Sequence, residues 1–189
     1  MSIQKQSPWS LSTKNVVVIG IGAVLYGLLS YATNFIPVGG NSLRPAIVIL
    51  TLIGALFGPL VGFFAGLIGN IIVDLFSGQI WINWDVGNGV IGLFAGFAYL
   101  LKGLDLSNGR IKGIHYLWII LLNFAGNVVG LIGATLYDAA TGTPIETTLA
   151  GWSLPSIIVN TAWSATLGLL LIAAIAKRNS SMAGLEIGK

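Results

Sequence analysis

The chain has no cysteine, which excludes disulfides, thiolate metal sites and cysteine nucleophiles. It has a single histidine, His115, so histidine-based metal clusters have almost nothing to build on. Neither H-E-x-x-H nor a Walker A lysine motif occurs, and the chain does not hydrolyse ATP by itself. Charge is scarce as well. Only 8% of the 189 residues are charged, against about 25% in soluble domains. Hydrophobic residues make up 55%. A soluble fold of this length could not hide so much apolar surface, and the composition points to an integral membrane protein.

What the chain has in quantity is glycine, 26 residues, which in membrane helices serves close packing. Apolar runs separated by polar or Pro/Gly-rich loops predict an all-α membrane protein with six transmembrane helices in one integral membrane domain over 1–189. The predicted helices cover about 14–32, 45–57, 60–76, 86–101, 114–137 and 153–176. Pro37 and the Gly39-Gly40 pair stop any helix in the first loop. Pro45 suits a helix N-terminus, where its missing N–H costs nothing, and Gly58-Pro59 breaks the second helix from the third. Lys177-Arg178 is expected to end the sixth. The first apolar run follows two lysines, but further membrane segments come after it, which disfavours a cleaved signal peptide.

Six spans put both termini on one side. That side collects Lys5, Lys14, Lys102, Arg110, Lys112, Lys177, Arg178 and Lys189, and the other has only Arg44. The positive-inside rule therefore predicts that both termini are cytoplasmic. The net charge of +3 is explained by topology and implies no nucleic-acid partner.

Polar side chains inside a membrane are costly unless they face a partner or a cavity. Here they gather in the outer halves of the helices. Asn70 and Asp74 lie one turn apart on the third helix. Asn88 opens the fourth, just after Trp84 and Asp85. Asn123 and Asn127 sit near mid-depth on the fifth, which ends at Tyr137-Asp138. Asn160 and Trp163 share a face of the sixth, and Asn41, Ser42 and Arg44 lie in the first loop. The candidate substrate-binding residues are Asn41, Arg44, Asn70, Asp74, Trp84, Asn88, Asn127, Tyr137, Asn160 and Trp163. For the asparagines the competing reading is interhelical bonding, at about 0.6 kcal/mol per bond. For Arg44 with Asp74 it is a salt bridge that locks the loop. Trp81, Trp84 and Trp152 suit an aromatic belt. Trp163 lies deeper and is the preferred aromatic wall of a pocket. Tryptophan faces and amides suit a flat, mostly neutral ligand. No catalytic or metal-ligating residues are predicted. Gly20, Ala23 and Gly27 form a small-residue stripe on the first helix, used either for packing or for docking a partner.

The chain resembles the substrate-binding S components of energy-coupling factor (ECF) transporters, prokaryotic vitamin binders of six helices. Three features carry the resemblance. They are the small-residue face in N-V-V-V-I-G-I-G-A-V-L-Y-G-L-L, the long loop after it, and the segment A-L-F-G-P-L-V-G-F-F-A-G-L-I-G-N-I-I-V-D. In the first, glycine and Val24 replace some of the family's alanines. The resemblance implies a non-catalytic subunit of the prokaryotic cell membrane without a cofactor. It would capture a vitamin from outside under a lid formed by the first loop. It would dock through Gly20, Ala23 and Gly27 on a membrane coupling subunit (EcfT type), with two cytoplasmic ATPases (EcfA type) driving release. Among members, the likeness is greatest to those assigned to cobalamin (vitamin B12) and cobinamide, and glycine-rich walls would leave room for a corrinoid. A smaller pyrimidine or pyridoxine-type precursor is the alternative. From other classes, an intramembrane enzyme using Asp74 and Asp85, or a membrane scaffold, would explain the same residues less well.

Overall fold

A computed structural model describes residues 7–34, 37–38, 41–42 and 44–187, with backbone alone at 37–38, 41 and 183–187. Its elements are α1 (Thr13–Ala32), a hairpin of β1 (Pro37–Val38) and β2 (Asn41–Ser42), α2 (Ile47–Phe57), α3 (Pro59–Ser77), α4 (Ile82–Phe97) and α5 (Gly113–Ala140). A last helical rod follows, made of α6 (Ile145–Thr148), α7 (Leu154–Trp163) and α8 (Leu169–Ile187) joined by π-helical turns. Among the described residues, four helical stretches are long and apolar enough to cross a membrane: Thr13–Ala32, Pro59–Ser77, Gly113–Ala140 and Ile145–Met182. The six-helix count of the sequence fits this architecture, with four boundary corrections.

The fourth helix begins at Ile82 rather than 86, so Trp84 and Asp85 are helical rather than in a loop. The fifth runs on to Ala140. The sixth begins at Ile145, because Thr141–Pro144 alone suffices for the connection. Pro155 does not break this rod. It lies in the first turn of α7, directly after the π turn Leu149–Ser153, where a missing N–H removes no regular α-helical bond. Lys177-Arg178 does not end it either. The amide of Asn179 donates to the Leu106 carbonyl at 2.8 Å, so α8 continues beyond the apolar region by docking on the loop before α5.

Helix α2 is short. Its 11 residues span roughly 16 Å at 1.5 Å per residue, about half of a ~30 Å hydrocarbon core. It ends at Gly58, whose φ of +101° only glycine adopts without strain, and Pro59 opens α3 at once. Space is thereby left beyond the Arg44 end of α2.

Glycines set how closely the helices cross. A Cβ on Gly62 would lie 2.7 Å from the carbonyl carbon of Gly92, joining α3 to α4 backbone to backbone. Gly54 meets Ala95 and Gly96 in the same way, and Gly87 on α4 meets Gly130 on α5. These glycines are filled by neighbouring backbone and do not open space for a ligand.

Two apolar clusters result. One includes Tyr26, Ile47, Leu50, Val61 and Ile91. The other, with Ala55, Ala98, Leu104, Leu106, Ile119 and Ala176, closes the end of the molecule at the α2–α3 turn. At that end Pro8 backs onto Gly58 and Lys14 Nζ stands 5.8 Å from the centre of the Phe57 ring. The imidazole of His115 accepts from the Lys112 N–H at 3.0 Å and lies 3.3 Å from the Lys102 carbonyl.

Candidate functional site

The opposite end holds a cavity of about 610 Å³, lined from α1, the first loop, α2, α3, α4, α5 and α7. This volume falls within the roughly 300–1,000 Å³ of small-molecule sites. Of the residues expected there, Arg44, Asn70, Asp74, Trp84, Asn88 and Asn160 line it. The Asn41 side chain lies outside the described residues, as do Phe35, Ile36, Gly39, Gly40 and Leu43 of the expected lid.

Three expected residues lie elsewhere. Asn127 is fully buried behind Asn160, which it holds by a 2.8 Å bond. Tyr137 is 59% exposed on the outer surface of α5. Trp163 packs against the apolar cluster around Leu50. The aromatic wall is instead Trp81, Trp84 and Trp152, with the last two edge to face at a centroid distance of 5.8 Å. Assigning Trp81 and Trp152 to a membrane belt by their nearness to helix ends missed that the cavity lies at that same level. Tyr26 is a further wall residue absent from the sequence expectation. Its place one turn from Ala23, on the face of α1 that meets α3, was the available signal.

Each polar wall residue is held by a neighbour. Trp84 Nε1 donates to Asp138 Oδ2 at 2.8 Å, and Asn83 donates to the other oxygen of the same carboxylate at 2.8 Å. The pair ties α4 to the end of α5 and fixes the Trp84 ring. Asp74 Oδ2 accepts from the Trp81 backbone N–H at 2.7 Å, which secures the α3–α4 turn. Arg44 Nε donates to the Ser42 hydroxyl at 3.0 Å, and that hydroxyl also meets the Asn34 side chain. Arg44 and Asp74 thus share the cavity wall while each has a different bonded partner. Tyr26 donates to Asn88 Oδ1 at 2.7 Å, and Asn88 Nδ2 donates to the Trp84 carbonyl at 2.9 Å. Asn70 Nδ2 donates to Asp85 Oδ1 at 2.8 Å.

Behind α7 the bonds continue to mid-depth. Asn127 Nδ2 donates to the Asn123 carbonyl at 2.9 Å, and Asn123 Nδ2 to the Ile119 carbonyl at 2.8 Å. Thr51 donates to Asn123 Oδ1 at 2.8 Å and lies 3.1 Å from the Ser164 hydroxyl in the second π turn. The interhelical reading of Asn123 and Asn127 describes them correctly, and Asn127 also braces a cavity residue.

The small-residue stripe on α1 divides. Ala23 is buried, and a Cβ on Gly69 would stand 2.9 Å from its carbonyl oxygen. Gly27 meets Gly69 and Ile72. Both positions are used in packing α1 on α3, not on an exposed face. A Cβ on Gly20 would meet no neighbouring element within 4 Å, and Val16, Val17, Ile21 and Val24 are exposed around it.

Comparison with known proteins follows the same lines. Residues 10–177 match the model of the ECF-type riboflavin transporter S component. A UPF0397 protein of Vibrio atlanticus is 37% identical over 178 residues, covering 90% of this chain and 94% of that one. A UPF0397 protein of Aliivibrio salmonicida is 34% identical over 171 residues, covering 89% and 93%. The solved structure of ThiT from Listeria monocytogenes superposes with a TM-score of 0.50 over 90% of this chain and 99% of that chain, at 13% identity. That likeness is one of fold.

Proposed function

Because the chain belongs to the ECF-type riboflavin transporter S-component family, we propose that it is the substrate-binding subunit of an ATP-driven importer and that it captures a flat heteroaromatic vitamin of the riboflavin type. A member of this family binds and hands over its substrate rather than converting it. The observation that carries the substrate reading is the cavity wall, where Trp81, Trp84 and Trp152 offer indole surfaces beside the amides of Asn70, Asn88 and Asn160. Aromatic faces with a few fixed polar groups suit a planar, hydrogen-bonding ring system.

The cobalamin expectation loses its physical basis. It rested on a likeness to cobalamin-assigned members, with glycines leaving room for a corrinoid as its physical support, and Gly54, Gly62 and Gly92 are occupied by the backbones of crossing helices. A pyrimidine-bearing vitamin is the second reading, favoured by the same tryptophan and amide wall.

The cavity opens at the end that carries Arg44, and the other described lysines and arginines belong to the opposite end. The positive-inside rule then favours a cavity facing outward and cytoplasmic termini. The coupling subunit and its two ATPases would be met through the exposed α1 face around Gly20, in place of the Gly20–Ala23–Gly27 stripe. Quenching of intrinsic tryptophan fluorescence, titrated with riboflavin, thiamine and cobalamin on detergent-purified protein, tests the reading. Saturable quenching by riboflavin alone supports it. Quenching by cobalamin alone refutes it.

A further inference from the structure

We propose that the polar edge of this cavity reads hydrogen-bond donors. Asn160 is locked with its amide oxygen available, so the bound ring presents an N–H or O–H group to it on the edge it buries. This rests on the cavity being the ligand site, as proposed above.

The lock on Asn160 begins at a backbone carbonyl, which can only accept. Asn127 gives its NH₂ to the Asn123 carbonyl, so its own oxygen must face Asn160. Asn160 must answer with its NH₂, which it does at 2.8 Å. Its oxygen is what remains for the cavity it lines. Rotating this amide by half a turn would set two oxygens, or two NH₂ groups, against each other. The amide assignment therefore follows from the network and not from an arbitrary choice.

Asn70 is fixed from the other side of the cavity. Its NH₂ donates to the carboxylate of Asp85, a fully buried residue. The freed Asn70 Oδ1 is buried with no partner, while the Asp85 carboxyl lies within hydrogen-bonding reach of Asp74. Orphaned buried acceptors are rare and call for an explanation. Here the orphan belongs to a residue of the cavity wall. Tyr26 adds to the imbalance, since its one proton is committed to Asn88 and only lone pairs remain. Asp74 contributes a carboxylate to the same wall. Among the described lining residues, Arg44 is the one cation, and it sits at the loop side, where a ligand carbonyl or oxyanion would be received. The ligand is thus read as donor-rich toward α3 and α7 and acceptor-bearing toward Arg44. In this scheme Asn160 determines specificity, while Asn127 is a positioning residue.

Two matched probe pairs test this by thermal shift and titration on the purified full chain. One is riboflavin with its ring-imide N-methyl analogue. The other is an aminopyrimidine with its dimethylamino analogue. Loss of one well-made donor to a buried acceptor is expected to cost about tenfold in affinity, the equivalent of ~1.4 kcal/mol. In at least one pair the N–H form should therefore bind about tenfold tighter. That ratio should collapse in Asn160→Leu and narrow in Asn127→Leu, which releases the Asn160 amide to turn. A merely structural role would lower both affinities and leave the ratio unchanged. Equal binding within both pairs, a ratio that survives both variants, or no binding by any of the four probes would each overturn the proposal. Discrimination by the aminopyrimidine pair with silence from the riboflavin pair would support the donor-reading edge while refuting the riboflavin reading.

Discussion

Gly27 and Gly69 meet where α1 crosses α3, so closely that a Cβ on Gly27 would stand 2.8 Å from the Gly69 carbonyl oxygen. The contact is backbone against backbone, and no side-chain rotation relieves it. Gly27→Leu and Ala23→Leu should therefore lose folded protein, with overpacking of roughly 1–3 kcal/mol or more. Gly20→Leu points into open space and should leave the melting temperature within a few degrees of wild type. Size-exclusion profiles and thermal unfolding of the three variants decide the matter. Normal folding of Gly27→Leu would mean that α1 does not sit on α3 as described.

The exposed part of α1 has a separate expected role. Gly20→Trp should keep substrate affinity while reducing co-purification with a coupling subunit and abolishing uptake. If uptake in cells survives this change, the coupling face lies elsewhere on the chain.

The α3–α4 crossing is as tight. Gly62→Val would place its Cβ 2.7 Å from the carbonyl carbon of Gly92, with two further methyl groups to house. Membrane-inserted but unstable protein is the expected outcome, seen as rapid aggregation after detergent extraction. An equal melting temperature for Gly62→Val and wild type would contradict the crossing.

Trp152 and Trp84 stand edge to face on the cavity wall. Such pairs are worth about 0.5–1.5 kcal/mol beyond their buried area. Trp152→Ala should weaken ligand binding roughly tenfold or more with little change in folding, because the residue is partly exposed at the cavity rim. Asp138→Asn should weaken it less, by loosening the Trp84 ring that the carboxylate holds. Calorimetric titration with the bound vitamin gives both values. Unchanged affinity in Trp152→Ala would remove the aromatic wall from the site.

Asn127→Leu removes the bond to Asn160 and the bond to the Asn123 carbonyl. Only the first joins two helices, since Asn123 shares α5, so at about 0.6 kcal/mol per interhelical bond the stability loss is expected to be small. The affinity loss should be larger, since the Asn160 amide is then free to turn. A stability loss with unaltered affinity would reduce Asn127 to interhelical glue.

Much of this molecule was legible in the sequence. Long apolar runs and Gly/Pro punctuation located the helices to within a few residues at most ends, because a membrane helix must satisfy its backbone internally. The scarcity of charge and its one-sided placement fixed an expected orientation. The skew of Asn70, Asp74, Asn88 and Asn160 toward one end of the helices located the cavity end. Depth along a helix was legible, but direction around it was not. Trp163 and Tyr137 have suitable depths and the wrong azimuths, and Trp152 was hidden in an apparent loop that is π-helical. The glycines misled for a related reason. A glycine in a helix marks close approach, and only the partner's position tells whether it admits a ligand or another backbone. At Gly54, Gly62 and Gly92 it is backbone.

The most direct test of the central claim is the identity of the small molecule released when the purified chain is denatured, read by mass spectrometry. The account predicts a planar heteroaromatic vitamin with N–H or O–H groups on its ring edge, of the riboflavin type. Release of a corrinoid in stoichiometric amount would contradict it.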